Sequence, residues 1–293
     1  MTKLVFHVGA PCPSFEQLTF SLRKNSFLMT EHGAMIRRPS QYRTAIDNAL
    51  MAQSLGQFTN EDRTDLLRKL TMAKDNNRVL LSHPNLLDEP TNIFRGGHFY
   101  GRAGEATKAL RALLPDSEME FMLTLQNPVT MVSDLLSTMR FTSREQFMNG
   151  LSFDAVRWSE VISMIRKANS YSDITIWAHE EAPVMWPAIL RHVGGLQDDV
   201  ELEGDLDLVA PLIGDYPAKP LKEFLAKQTN LTPAGRLEII EGFLGRFFDP
   251  DAVEQEIDLD DIDPEAVEAI SQAYENDIER CKSMEGVKVI SAF

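Results

Sequence analysis

A chain of 293 residues that is 43% hydrophobic and 25% charged can bury a full core, as one large domain or a domain with an appended subdomain. Its net charge of −15 argues against general nucleic-acid binding, which needs a basic footprint, and two cysteines at opposite ends of the chain exclude a disulfide framework. The charge is uneven: Asp249 to Glu285 holds 14 acidic residues against Arg280 and Lys282, which reads as a solvated face or as a docking surface for a basic partner. No apolar run approaches the ~18 residues of a spanning helix, and the N-terminus has no signal-peptide pattern. These features predict a soluble, cytoplasmic protein with no membrane or nucleic-acid partner.

The first element is an apolar run from Leu4 to Val8, which predicts a strand that breaks at Gly9-Ala10-Pro11-Cys12-Pro13 and restarts as a helix at Ser14. In parallel α/β proteins that first turn aims backbone N–H groups above the sheet edge, the usual place for a phosphate. Ser14 and Gln17 have the spacing of a capping box, and Leu18, Leu22 and Phe27-Leu28 form the apolar stripe of the helix. The charge of a phosphate loop is missing, because no Lys stands in the turn and Glu16 occupies the first helical turn. That carboxylate favours the helix dipole by roughly 0.3–1 kcal/mol and repels a phosphate from the same place. A thiol ahead of a helix can be acidified into a nucleophile, which makes Cys12 a candidate that Glu16 opposes.

A loop through Arg37 and Arg38 leads to a predicted helix at Tyr42–Ser54, and Asn60 reads as the N-cap of a helix over Glu61–Lys74 that buries Leu66, Leu67 and Leu70. A strand over Arg78–Leu81 stops at Ser82-His83-Pro84. His83 thus stands at the carboxyl end of a strand, where it can serve as a base near pH 7 or simply close the strand. Gly96 to Gly101 is a glycine-rich turn, either a mobile cover for a ligand or a plain connector, and a helix follows over Glu105–Leu114. Phe121–Leu125 reads as a strand covered on both faces, Phe153–Asn169 as a helix and Ile174–Ala178 as a fourth strand. His179-Glu180-Glu181 and His7 are metal-capable side chains without the i, i+4 spacing of a zinc helix, so no metal is expected. Thr232-Pro233 and Asp263-Pro264 each open a helix, to Phe247 and Cys281, and Val287–Ser291 adds a last strand.

The segment Val5 to Leu18 resembles the opening of sulfotransferases, whose strand, loop and helix read roughly His-x-Gly-x-Pro-Lys-Thr-Gly-Thr-Thr-x-Leu. His7, Gly9, Pro11 and Leu18 match; Cys12 replaces the Lys, Pro13 the Thr, Ser14 the Gly, and Phe15 and Glu16 the two hydroxyl residues. Arg78–His83 is similar to the family's second strand, which places His83 on the catalytic base and Leu81 on the assisting Lys. The family follows its next strand with an Arg and, eight residues later, a Ser that hold the 3′-phosphate. Here those places carry Gln126 and Asp134, with Ser133 one residue early and turned about 100° away.

The resemblance implies a three-layer α/β/α fold with a mainly parallel sheet of about five strands, in a single domain 1–293. A helical and acidic insertion at 197–286 would be closed by a strand near 287–291. It further implies that Gly9, Ala10, Pro11, Cys12, Pro13, Ser14, Phe15, Glu16, Gln126, Ser133 and Asp134 stand at the phosphate positions, with altered chemistry. The expected function is therefore a divergent or non-catalytic protein that holds no cofactor tightly. The alternative is a sulfuryl or phosphoryl transferase that uses 3′-phosphoadenosine-5′-phosphosulfate and a small hydroxyl-bearing acceptor, with His83 as base. Arg37, Arg38 and Arg95 are then the candidates for the missing positive charge.

Overall fold

The computed structural model describes residues 2–72, 76–139, 143–228, 231–252 and 262–292. In chain order the elements are β1 (Lys3–Gly9), α1 (Pro13–Lys24), α2 (Ser26–Glu31), β2 (Ala34–Ile36), α3 (Arg43–Ser54), α4 (Asn60–Thr71), β3 (Arg78–Ser82), α5 (Ala103–Leu113) and β4 (Glu118–Leu125). They continue with α6 (Pro128–Thr138), α7 (Arg144–Met148), α8 (Trp158–Ala168), β5 (Asp173–Ala178), α9 (Ala182–Gly194), α10 (Ala210–Ile213), α11 (Asp215–Ala226), α12 (Pro233–Phe247), α13 (Pro264–Lys282) and β6 (Val287–Val289). The strands form one parallel sheet in the order β2-β3-β1-β4-β5-β6, with Leu4 opposite Val79 on one side and Met119 on the other.

Alternation along β1 explains the layers. Leu4, Phe6 and Val8 face a core built from α3, α4, α5, α6, α8 and α13, while Val5 faces a second core with Leu18 and Leu22 of α1 and Trp186 and Ile189 of α9. The result is a three-layer α/β/α fold, as the unbroken apolar strands predict. Helices α10, α11 and α12 gather a third apolar cluster round Leu221 and Ile240.

The sheet has six strands among the described residues rather than five. The extra one, β2, is three residues long and too short for a periodicity to show in sequence. The first helix begins at Pro13, not Ser14, with Cys12 as N-cap, so the expected capping box is absent. Asn25 then splits the stripe into α1 and α2 by bonding Ser21 O and Glu203 O, which leaves Phe27 79% exposed instead of buried. Thr59, not Asn60, caps α4 through Asp62, and Leu67 is exposed while Leu66 and Leu70 are buried. The helix expected over Phe153–Asn169 is interrupted by an extended Val156 before α8 starts. The expected helix end at Lys74 and the middle of the acidic run, 253–261, lie outside the described residues. No helix among the described residues is long and apolar enough to cross a membrane.

Candidate functional site

The strand order locates the place where a ligand would be expected. From β1 the chain turns toward β2 on one side and from β4 toward β5 on the other, so the loops after β1 and β4 diverge onto opposite faces of the sheet. Open α/β sheets bind ligands in the crevice such a reversal leaves. Ala10–Cys12 and Gln126–Asn127 border it, with His83 beyond β3 and His179 beyond β5.

The first loop is closed on itself. Gly9 adopts φ +119°, and a Cβ there would lie 2.6 Å from Thr124 O, so only glycine fits. The amides of Ala10, Cys12 and Phe15 donate to Thr124 O (3.0 Å), Ala10 O (2.8 Å) and Cys12 O (3.0 Å), and Pro11 and Pro13 have no N–H. Phe15 lies over the end of the sheet with its ring 4.0 Å from that of His7, whose nitrogens meet Ser82 Oγ at 3.1 Å and Thr124 Oγ1 at 2.9 Å. Burial lowers His7 to about 3, and Arg43 adds to the shift.

Ser14, buried, spends its hydroxyl on His179 Nδ1 at 2.7 Å, with Cys12 Sγ 3.3 Å from the same oxygen. Burial holds His179 down near 4, so the ring is neutral at pH 7 and shares one hydrogen bond with the Ser14 hydroxyl through Nδ1. Burial also pushes the Cys12 thiol up to about 12, which removes the nucleophile suggested by its position ahead of a helix. The nearby guanidinium of Arg43 is committed to Glu16 Oε1 and Ser82 O, both at 2.8 Å.

At the second loop Gln126 donates to Asp134 Oδ2 at 2.7 Å, and its Oε1 is buried without a partner. Ser133 is buried one position away. Asn127 caps α6 through its side chain, and its backbone N–H donates to Glu180 Oε1 at 2.7 Å. Tyr274 completes the arrangement by donating its hydroxyl to Glu180 Oε2 at 3.0 Å. Glu180 is exposed as a residue, yet the protein packed round its carboxyl raises its pKa, against the opposing pull of these two hydrogen bonds. A carboxyl group from the end of β5 therefore occupies the N-terminus of α6, where helix geometry favours an anion. In the sequence Glu180 reads only as a metal-capable side chain. Its partner Asn127 is 53 residues away, and only the pairing of β4 with β5 brings them together.

His83 is buried and turned toward α3, with Nε2 2.9 Å from Asp47 Oδ1 and Nδ1 enclosed without a partner. Of the proposed cations, Arg38 and Arg95 are exposed, whereas Arg37 is buried with its Nε unpartnered, and burial lowers its pKa. The glycine-rich turn is anchored by Tyr100, which takes φ +44° and donates to Gly9 O at 3.4 Å. Gly97 and Gly101 help to line a groove of about 850 Å³ along α8. The chain matches no known family model and no curated protein.

Proposed function

We propose that this chain is a sulfotransferase-like protein that has lost ordinary binding of 3′-phosphoadenosine-5′-phosphosulfate and acts as a non-catalytic or divergent member, in the cytoplasm. The observation that carries the reading is that the chain's own groups fill the places to which the resemblance assigns the donor's anions. Glu180 takes the α6 N-terminus, and the loop after β1 spends its amides on its own carbonyls and on Thr124. Cys12 and Gln126 stand where the resemblance calls for Lys and Arg, and Glu16 and Asp134 add negative charge.

A charge-assisted hydrogen bond contributes roughly 1.5–3 kcal/mol, so two lost cations remove about 3–6 kcal/mol if they are independent. That moves a micromolar site to about the millimolar range or weaker. Calorimetric titration with adenosine 3′,5′-bisphosphate at low salt is the test. The expected dissociation constant is millimolar or weaker. A low micromolar value would overturn the proposal in favour of a transferase in which His83, oriented by Asp47, takes the proton of an acceptor hydroxyl. In that case His83→Ala should abolish turnover.

A further inference from the structure

We propose that the groove along α8 binds a small monoanionic organic acid, with its carboxylate between Arg157 and Arg280 and its apolar body on Met164, Met284 and Leu151. The groove is open to solvent, has a volume of about 850 Å³, within the range of small-molecule sites, and is walled by α8, the end of α13 and the turns at 97–101 and 151–157. It does not depend on the loops after β1 and β4, so it stands apart from the nucleotide question.

The two helices have a defined register. Asp277 of α13 accepts the Ser159 amide at 3.0 Å and the Ser159 hydroxyl at 2.5 Å. Farther along, Gly286 lies beside the Arg166 guanidinium. The helices thus run parallel. Arg157, extended just ahead of α8, precedes Ser159 by two residues and Arg280 follows Asp277 by three along α13, which places them roughly 9 Å apart along the axes at about 1.5 Å per helical residue and about 3.3 Å for the extended one. Two guanidinium side chains can span that distance to one carboxylate.

The charges select the ligand. Arg157 makes a single side-chain hydrogen bond, to its neighbour Val156 O at 2.9 Å. Among the described residues, Arg157, Lys167 and Arg280 form no ion pair, although the chain has 44 acidic residues against 29 basic ones. Asp154 and Glu160 also line the groove, so three cations stand against two carboxylates, a balance of +1. That suits one negative charge, and a polyanion would meet both carboxylates. Met164 and Met284 offer an adaptable apolar surface, and the turn carrying Gly97 and Gly101 is held in place by the buried Tyr100.

The probe is octanoate, titrated calorimetrically into the full chain beside octan-1-ol and acetate. Octanoate should bind at least tenfold more tightly than either control, and the double variant Arg157→Gln/Arg280→Gln should weaken it at least tenfold with unchanged circular dichroism. Equal binding of octanoate and octanol, no binding of octanoate, or full affinity in the folded double variant would each overturn the proposal. Should the double variant not fold, Ser163→Trp, which fills the groove, must abolish octanoate binding; retained affinity is again fatal.

Discussion

His7, buried, and His179, half-buried, are held neutral by the protein packed round their rings, and that makes the fold sensitive to acid. Folding holds them near 3 and 4, against an ordinary value of 6.5. Below about pH 6.5 the unfolded chain takes up protons that the folded chain refuses. The stability they confer is therefore complete above that pH and is lost as pH falls toward the folded values. Each histidine contributes at most about 1.4 kcal/mol per pH unit in this window. Replacing His179 with Asn keeps a hydrogen-bonding partner for Ser14 and removes the titrating ring, so the melting temperature of His179→Asn should fall less steeply between pH 7 and 4 than that of the parent. The raised carboxyl of Glu180 works in the opposite sense but is common to both proteins and cancels in the comparison. Parallel profiles would show that His179 is not a source of the acid sensitivity.

At the scale of elements, helix ends decide the character of the crevice, and α6 offers the sharpest test. Glu180→Ala leaves the Asn127 amide and the Tyr274 hydroxyl without their shared acceptor. The loss should be about 1–3 kcal/mol, the usual cost of leaving one buried group, here the Tyr274 hydroxyl, unpaired. The same change opens the helix N-terminus, so millimolar sulfate should raise the melting temperature of the variant more than that of the parent. An identical response would mean that Glu180 holds no anion seat. Helix starts set by adjacent residues were legible in sequence: Thr232-Pro233 and Asp263-Pro264 cap α12 and α13 as their local chemistry dictates. Ser14 misled because its hydroxyl is claimed by His179, 165 positions away, while Pro13 takes the first helical position. Local spacing cannot report a partner that only the sheet brings near.

For the whole molecule, the four central strands were readable because a strand covered on both faces needs no polar residue, and β1, β3, β4 and β5 lie parallel in one sheet as their apolar runs imply. The short edge strand β2 carried too few residues to show. At the opposite edge the C-terminal segment closes the structure through several independent contacts. Strand β6 pairs with β5, and Ile290 and Ala292 donate their amides to Ile176 O at 2.9 Å and Glu181 Oε2 at 3.1 Å. Helix α13 buries Ile270, Tyr274 and Cys281 on the main core and caps α8 through Asp277. Deleting residues 264–293 would uncover that core, leave the Ser159 amide without its carboxylate and remove the Tyr274 bond to Glu180. Each lost kcal/mol lowers the melting temperature of a chain near this size by roughly 2–4 °C, and losses at several buried sites add when the sites are independent. The truncated chain should therefore melt at least ten degrees or so lower, or lose its cooperative transition, in a calorimetric scan. An unchanged melting temperature would mean that α13 and β6 lie against the core without stabilising it, which their burial and hydrogen bonds contradict.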